Sequence, residues 1–325
     1  NYTTGVANPY LLLEPSRTNA IDQSEYIGSA SWAAAGITRS LIITQTSEVN
    51  PEGSAICWKI QGTASNNQLA NNNSTNSGTT ITNSIYVKRV SGTSNVLLRD
   101  VNNNDTSFSL SVADGWKRID VTATATSATA RFYLNLLDFN DEILVWGAQQ
   151  EIGSYPTSYI PTYSVSATRA QDVCNKTNAS GEINSTEGVL YAEMAALVNG
   201  GENRVITISD GSYDNSVRIQ LYTNTNEIEM RIVVGNAIQA LERVAITNTL
   251  NFNKIAVKYK VNDFQLWING SKLRFDTSGS VPSANTFNSI RFDDGDGNNS
   301  LYGKVNALQV YKEALTDAEL ATLTT

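Results

Sequence analysis

The sequence predicts an all-β protein made of two tandem antiparallel β-sandwiches of the jelly-roll type, with one short C-terminal helix. Apolar and polar residues alternate with period two in short runs through both halves of the chain, as expected for strands with one buried face. Asn, Ser, Gly and Asp bound these runs, and no helical periodicity separates them. The 325 residues suffice for two domains of about 150 residues each.

The N-terminal segment, residues 1–22, is predicted to be an extended arm or a first edge strand. Pro9 and Pro15 flank the apolar run YLLL (10–13), and proline disfavours a helix at its own position and at the residue before it. Because the chain starts at Asn1 rather than Met, we expect a processed product or part of something longer.

A first jelly roll is predicted over residues 23–172. Within it, apolar side chains occupy alternate positions, which places them on one buried face of each strand. These alternating apolar residues include Ile85, Val87, Phe132, Leu134 and Leu136. Residues 61–80 are rich in Asn, Ser and Thr and are predicted to form a long surface loop, with a low-complexity linker as the alternative.

The second half is predicted to contain a connector and a second sandwich. Residues 173–186 have few apolar side chains and are interpreted as an exposed linker. In 187–325, period-two runs lead to Asn269-Gly270, a pair that tolerates the positive φ angles of a type I′ hairpin turn. A short helix follows, with Thr316 as its N-cap and Glu319 completing a capping box.

The acidic net charge and the absence of histidine exclude several classes of function. The chain has 23 basic and 31 acidic side chains, a net charge of −8 and no histidine. It lacks the broad positive field that gives proteins affinity for nucleic acids or anionic membranes, so neither partner is expected. Imidazole general bases, imidazole metal ligands and a Ser-His-Asp triad are excluded. Neutral glycans are compatible with this charge, because stacking and hydrogen bonding do not require a net charge.

The two cysteines and the hydropathy of the chain indicate no particular kind of functional site. Cys57 and Cys174 lie far apart, are too few for a disulfide framework or a zinc site, and are predicted to be two buried thiols. The sequence contains no run of about 18 apolar residues that would predict a transmembrane helix. It also shows no signal-peptide pattern.

Four blocks of the first half resemble a family of phage and prophage virion proteins, most of them tail-associated, fibre-like or spike-like. The blocks are LLLEPSRTN (11–19), WGAQQE (146–151), SYPTSYIPT (154–162) and ATRAQDV (167–173). In that family, these blocks close a jelly roll similar to the carbohydrate-binding modules appended to glycanases. Three blocks of the second half resemble a laminin-G or concanavalin-A-like sandwich, namely EGVLYAE (187–193), FQLWING (264–270) and LTDAEL (315–320).

The resemblance implies a non-enzymatic protein of the bacteriophage virion surface, a head or tail fibre or a spike. Such a protein is assembled in the host cytoplasm without a signal peptide and then adheres to a bacterial surface polysaccharide. It also implies other virion subunits as partners and a homotrimeric state. Two alternatives stay open: a purely structural virion decoration protein and, less favoured, a polysaccharide depolymerase.

Two carboxylates, those of Glu227 and Glu229, are candidates for catalytic groups. A retaining glycosidase needs two carboxyl groups about 5–5.5 Å apart, which is the spacing of side chains two apart on one strand face. Glu227 and Glu229 have that spacing, but the E-x-D-x-x-E pattern of β-sandwich glycanases is missing around them. They are therefore interpreted as a solvated acidic strand face, and no catalytic residue is predicted.

Two acidic segments, 138–142 and 293–299, suit calcium because Ca²⁺ takes 6–8 oxygen ligands. The second resembles part of a calcium loop, but it lacks the bidentate Glu at the twelfth position. Turn-rich surface loops are the default interpretation. No cofactor or metal ligand is predicted, and a structural calcium ion stays open.

Strand parity indicates a sugar-stacking platform on the second sandwich. Trp267 is out of phase with Phe264, Leu266 and Ile268, and Tyr222 and Arg218 are out of phase with Ile219 and Leu221. An exposed Trp with Tyr and Arg nearby can stack on a sugar ring and bond its hydroxyls, so the predicted carbohydrate-binding residues are Trp267, Tyr222 and Arg218. Burial of Trp267 and Tyr222 in an interface is the alternative. Trp58, Trp116 and Trp146 are assigned to the core, and Trp32 stays undecided.

Overall fold

The computed structural model describes residues 9–32, 41–54, 56–62, 67–136, 138 and 141–325, with the backbone alone at 41–45 and 67. The chain folds as two compact units. The first is Ser16–Ala170, and the second combines Asn1–Pro15 with Gln171–Thr325. Both are antiparallel β-sandwiches, and the described residues form one α-helix, at the C-terminus, which confirms the predicted fold class.

The N-terminal segment supplies an edge strand to each unit. Strand β1 (Leu11–Leu13) pairs with residues 303–305 of the second unit, and β2 (Arg17–Asn19) pairs with residues 167–169 of the first. From Pro9 onward, the edge-strand alternative is therefore confirmed over the free arm, with two short strands instead of one, because each segment finds its backbone hydrogen-bond partners in a sheet.

The described residues of the first unit form ten further strands: β3 (Leu41–Thr46), β4 (Cys57–Gly62), β5 (Asn67–Ser74), β6 (Thr80–Ser91), β7 (Val96–Arg99), β8 (Asp105–Phe108), β9 (Lys117–Thr124), β10 (Thr129–Leu136), β11 (Glu142–Ile152) and β12 (Ala167–Arg169). Sheet I has the order β3-β4-β11-β6-β9, sheet II has the order β5-β10-β7-β8, and β2 and β12 form a two-stranded ribbon. Short 3-10 turns lie at Ala30–Trp32 and Val112–Asp114.

Alternate side chains of sheets I and II form the core of the first unit. Ile85, Val87 and Phe132 are fully buried in one apolar cluster, as the period-two pattern predicts. Trp32 is fully buried in the same cluster, and its Nε1–H donates to the backbone oxygen of Gln23 at 2.9 Å. Of the tryptophans assigned to the core, two are buried (Trp58 and Trp146) and Trp116 is half-buried.

The Asn-rich tract contains a strand where a loop was predicted. Residues 67–74 form β5, in which Leu69 pairs with Leu134 and is fully buried. The Asn73 amide donates to Gln150 Oε1 at 3.0 Å. Leu69 and Ala70 are the two apolar residues of this strand, and both are buried. The other residues of the strand are polar, so the composition of the tract predicted a loop. Residues 63–66 lie outside the described part of the chain.

In the described part of the second unit there are eleven further strands and the helix: β13 (Asn175–Lys176), β14 (Glu187–Ala196), β15 (Arg204–Ser209), β16 (Ser216–Leu221), β17 (Glu227–Val234), β18 (Ala237–Ala245), β19 (Asn253–Lys260), β20 (Phe264–Ile268), β21 (Ser271–Asp276), β22 (Ser289–Arg291), β23 (Gly303–Tyr311) and α1 (Asp317–Thr324). Sheet III has the order β1-β23-β14-β19-β20-β21, and sheet IV has the order β13-β22-β15-β16-β17-β18.

The segment predicted as an exposed linker, 173–186, is part of the second unit. Its β13 pairs with β22, and Ala179 and Ile183 are buried in the core between sheets III and IV. The hydroxyl of Tyr259 donates to the backbone oxygen of Asn184 at 2.6 Å. The linker prediction was wrong because a few well-placed contacts hold this segment despite its low apolar content. Cys174, predicted to be buried, is half-buried against the same core, whereas Cys57 is fully buried.

The two most local predictions are confirmed. Asn269 and Gly270 have φ angles of 47° and 82° and join β20 to β21 as a tight hairpin. Helix α1 begins after Thr316, whose hydroxyl accepts from Glu319 N, while the Glu319 carboxylate accepts from Thr316 N at 2.8 Å. This reciprocal capping fixes the position at which the last segment turns back over sheet III.

Candidate functional site

Trp267 lies on the outer face of sheet III, as parity predicts, but it is not exposed. Helix α1 covers it, and Trp267 forms a small apolar cluster with fully buried Leu320. Its Nε1–H donates to Gln265 Oε1 at 2.8 Å, so the indole is satisfied inside the protein. The prediction of an exposed Trp267 platform is therefore wrong, and Trp267 is a contact for helix α1. Sequence parity shows that Trp267 points away from the core, but it does not show that the helix covers that face.

Arg218 and Tyr222 lie on the other sheet of the same unit. Val217 and Ile219 point into the core from β16, so Arg218 points outward from sheet IV. The structure therefore places Arg218 and Tyr222 together on one face and separates them from Trp267, since the core lies between the two sheets.

The outer face of sheet IV carries a cluster of Arg and Tyr side chains, here called the arginine–tyrosine face. Cross-strand register brings Arg218 directly opposite Arg231, and Glu229 directly opposite Arg243. Tyr213, from the loop before β16, and Tyr222, just after it, contribute the rings. The face comprises Tyr213, Arg218, Tyr222, Glu229, Arg231 and Arg243.

Tyr213 covers the buried end of this face. The centre of its ring lies 3.7 Å from Cζ of Arg218, and its backbone oxygen accepts from Arg218 Nη2 at 3.0 Å. Its hydroxyl accepts from Arg231 Nη1 at 2.8 Å. The loop is held by Asp296, whose Oδ1 accepts from Tyr213 N at 3.0 Å. One tyrosine thus orders two guanidinium groups on neighbouring strands.

Glu229 is the only carboxylate among the residues that define the face. It is fully buried and accepts from Arg231 Nε at 2.8 Å and also from Arg243 Nε. Arg243 in turn stacks on Tyr222, with its Cζ 3.9 Å from the ring centre. The predicted solvated acidic strand is therefore wrong for Glu229, whereas Glu227 is half-buried and accepts from the Asn224 amide at 2.9 Å.

Burial and neighbouring charges shift the pKa of Arg218 and the pKa of Arg231 in opposite directions. Burial lowers the pKa of Arg218 from its usual value, and the nearby Tyr213 and Asp294 oppose that shift only in part. Arg218 donates to Ser216 Oγ at 3.0 Å, but no ion pair within the described residues includes it. For Arg231, burial also lowers the pKa, but the charges of Glu229 and Tyr213 and the hydrogen bonds to both side chains together outweigh burial, so the net shift is upward.

The other half of the face is open to solvent. The side chains of Arg231 and Arg243 are 18% and 38% exposed, and Ile238 and Leu241 on edge strand β18 are exposed beside them. Rings, guanidinium donors and apolar side chains thus share one surface. Such a surface can stack on a planar or ring-shaped ligand and donate hydrogen bonds to its oxygens.

The acidic segment 293–299 uses its carboxylates internally. Asp293 pairs with Arg291 at 2.9 Å, and Asp294 accepts from Asp296 N, Asn298 N and the Asn299 amide. Among the residues that the structure describes, no group of three or more His, Cys, Asp or Glu could hold a metal ion. The other segment, 138–142, lies partly outside those residues.

A cleft of about 660 Å³ opens between the β18–β19 connection and the β20–β21 hairpin, and asparagines dominate its polar lining. The Asn253 amide donates to the backbone oxygens of Asn248 and Asn251, at 3.0 and 2.7 Å. Asn269 Oδ1 accepts from Lys254 N at 3.0 Å. These amides shape the loop and the hairpin, so the cleft offers fewer free donors than the arginine–tyrosine face.

The motif blocks of the first unit bind one another. Glu151 is buried and accepts from Thr157 N at 2.8 Å, Thr157 Oγ1 at 2.7 Å and Gln149 Nε2 at 2.7 Å. The Asn19 amide donates to Ala148 O and Ile160 O, at 3.1 and 2.9 Å. We call Asn19, Gln149, Glu151 and Thr157 the polar clasp. It closes the first sandwich, which gives these residues a structural role.

Sequence reasoning missed Tyr213, Arg231 and Arg243. Arg231 could have been found, because it alternates with Met230 and Ile232 and so faces outward like Arg218. Arg243 becomes visible only through the register of β17 and β18. Tyr213 comes from a loop, and no periodic signal marks it.

No helix in the described chain is long and apolar enough to cross a membrane. No protein-family model matches the sequence, and no curated protein matches it either.

Several solved structures are similar in fold at low identity. The CBM40 module of Ruminococcus gnavus IT-sialidase, solved with α2,3-sialyllactose, is 14% identical with a TM-score of 0.39, over 45% of this chain and 86% of that chain. Leech intramolecular trans-sialidase is 17% identical with a TM-score of 0.36, over 43% and 23%. Mouse laminin α1 LG4-5 is 8% identical with a TM-score of 0.30, over 95% and 92%. At these values, function has to be argued from the residues of this chain.

Proposed function

We propose that this chain is a non-enzymatic carbohydrate-binding protein of a virion surface, which adheres to host polysaccharide through its arginine–tyrosine face. The observation that carries the proposal is the pairing of two tyrosine rings with arginines on one open sheet face. Tyr213 stacks with Arg218 at 3.7 Å and Tyr222 with Arg243 at 3.9 Å.

The chemistry of the face suits a sugar chain. A tyrosine presents an apolar ring, which packs on the C–H face of a pyranose, and a hydroxyl that remains hydrogen-bonded. Guanidinium groups supply several donors in a fixed plane, and sugar hydroxyl and ring oxygens accept them. The face is a sheet surface rather than a deep pocket, which fits one stretch of a long polymer.

Binding at one such face is expected to be weak, and several copies would strengthen it. Tethered binding sites raise avidity by about 10²–10⁴ without new contacts, provided that geometry lets them engage together. A trimeric fibre would supply this multiplicity. The virion setting and the trimer rest on the resemblance of the LLLEPSRTN, WGAQQE and SYPTSYIPT blocks to phage proteins.

Two other functions compete with this proposal. A structural decoration protein would use the same face against another virion subunit, because Tyr and Arg are enriched at protein interfaces as well. A depolymerase needs two free carboxyl groups. Both oxygens of Glu229 are occupied by Arg231 and Arg243, which favours adhesion over hydrolysis.

The proposal is tested by the binding of purified protein to a panel of acidic and neutral bacterial surface polysaccharides. Wild type is compared with Tyr222→Ala and with Tyr163→Ala, a matched control because Tyr163 is an exposed tyrosine of the first unit. Saturable binding that Tyr222→Ala loses and Tyr163→Ala keeps supports adhesion through the face, and reducing ends should not accumulate. Binding that survives in Tyr222→Ala, or no binding of wild type to any polysaccharide or to host cells, would overturn the proposal.

A further inference from the structure

The arginine–tyrosine face carries more positive charge than its own carboxylate neutralises. Among the six residues of the face, Arg218, Arg231 and Arg243 accompany a single carboxylate, Glu229, which pairs with the last two, and nearby Asp294 forms no ion pair with Arg218. Arg218 and Arg231 are direct cross-strand partners, and like charges in that arrangement destabilise a sheet. The excess charge therefore has a cost in the free protein.

Two other buried or half-buried arginines of the described residues, Arg89 and Arg291, illustrate pairing with a carboxylate, whereas Arg118 is held by Thr157 O and Ser84 Oγ. Arg89, fully buried in the first unit, pairs with Asp141 at 3.2 Å. Arg291, a neighbour of the face on sheet IV, pairs with Asp293 at 2.9 Å. Arg218 is 1% exposed and pairs with no carboxylate in the described residues, being held by Ser216, Tyr213 and the Tyr213 ring.

The surroundings make this charge effective. The whole chain has a net charge of −8, whereas Arg231 and Arg243 bring two guanidinium groups to the open part of this face. A charge held in a partly desolvated site acts more strongly on a ligand than the same charge in water, because the local dielectric constant is lower. Arg231 and Arg243 are the exposed members that a ligand can reach, and Arg218 lies behind them.

We infer that the glycan bound by this face carries an oxyanion, a carboxylate or a phosphate on the sugar, which binds Arg231 and Arg243 and is favoured by the charge of Arg218. The inference rests on the proposed function and names the class of glycan. The planar fork of arginine matches both oxyanions through paired N–H donors. An anion bound there also relieves the repulsion between Arg218 and Arg231.

The test uses the full chain and three defined probes: oligogalacturonate, its carboxyl-reduced neutral form, and a glycerol-phosphate polymer. Affinities are measured by calorimetry for wild type, Arg218→Gln, Arg243→Gln and Arg243→Lys. Arg99→Gln is the matched control, because Arg99 also lies over a tyrosine ring but pairs with Asp105 in the first unit. Circular dichroism shows that each variant is folded.

Wild type should bind one of the two anionic probes and bind the neutral probe at least tenfold more weakly. Arg218→Gln and Arg243→Gln should each weaken binding by about tenfold or more, Arg243→Lys by less, and Arg99→Gln not at all. Arg243→Gln removes a charged hydrogen-bond donor to the anion, and Arg218→Gln removes a positive charge behind it, whereas Arg99 lies in the other unit. Which anionic probe binds more tightly decides between carboxylate and phosphate.

Equal affinity for oligogalacturonate and its neutral form, or undiminished binding by Arg218→Gln, overturns the inference. So does the failure of both anionic probes to bind. If a neutral polysaccharide of the earlier panel then binds through Tyr222, the proposed function stands and only the anionic specificity fails. If Tyr222→Ala has no effect on any ligand, the proposed function fails as well.

Discussion

The guanidinium group of Arg218 lies over the ring of Tyr213, with Cζ 3.7 Å from the ring centre. Both groups are held on the outer face of sheet IV, and the arginine is 1% exposed with no ion-pair partner in the described chain. The stack compensates part of the cost of burying a charge, because an arginine over an aromatic ring gains roughly 0.5–2 kcal/mol.

Replacing Arg218 by Met should leave stability nearly unchanged while weakening the binding of an anionic glycan by about tenfold or more. Exchange of a buried charge for an apolar side chain of similar length is often neutral or stabilising. We expect a free energy of unfolding that is lower than that of wild type by no more than about 1 kcal/mol, measured by urea denaturation. A loss of several kcal/mol would show that Arg218 is a structural group rather than one retained for a ligand.

Removing the helix contact should expose Trp267. Leu320 is fully buried against Trp267, so Leu320→Ala should cost about 2–5 kcal/mol and shift the tryptophan emission to longer wavelength. Leu323→Ala, a partly buried position of the same helix, is the matched control and should have a smaller effect on both readouts. If the emission of Leu320→Ala equals that of wild type, helix α1 does not cover the indole.

The polar clasp should be needed for the stability of the first unit. Thr157→Val keeps the side-chain shape but removes the hydroxyl that donates to Glu151 Oε2 at 2.7 Å. The buried carboxylate then loses one donor, and we expect destabilisation of about 1–3 kcal/mol in urea denaturation. Thr168→Val, at an exposed position of β12, should cost less than half as much. Equal effects of the two substitutions would contradict a role for the clasp.

Stability should fall at alkaline pH as Tyr191 is forced to ionise. Its burial, together with the charges of Glu193 and Tyr311, raises the pKa of Tyr191 to about 12. An unfolded tyrosine has a pKa of about 10, so the stabilisation is fully present below about pH 10 and is lost as pH rises to about 12.

Denaturation of wild type and Tyr191→Phe, measured at about pH 8 and about pH 11, isolates this contribution from other groups that titrate in the range. The phenylalanine variant should lose less stability than wild type over that interval, and absorbance near 295 nm should show fewer early-ionising tyrosines in folded wild type than in unfolded chain. Identical pH dependence of the two proteins would refute the assignment.

Local signals predicted the elements, and tertiary contacts decided the site. Alternation placed Arg218 on an outer face and Phe264 in the core, and the pairs Asn269-Gly270 and Thr316–Glu319 fixed a turn and a cap. Parity cannot show what covers an outer face, so the alternation predicts an exposed Trp267, whereas helix α1 lies over it.

The remaining errors have the same origin. Glu229 is buried because it pairs with Arg231 on its own strand, β17, and with Arg243 on β18. Only the register of β17 and β18 shows that Arg243 lies beside it. Residues 173–186 belong to the second unit because Ala179 and Ile183 are buried in its core. These two residues form no periodic pattern by themselves. Each case depends on contacts between separate segments, which a pattern within one segment does not contain.

The most direct test of glycan binding at the arginine–tyrosine face is an NMR titration of arginine side-chain Nε–Hε signals with oligogalacturonate and, separately, with the glycerol-phosphate polymer. The account predicts saturable shifts at Arg231 and Arg243, with the signal of Arg99 unmoved. Shifts confined to Arg99 and other arginines of the first unit, or no shift at saturating ligand, would contradict it.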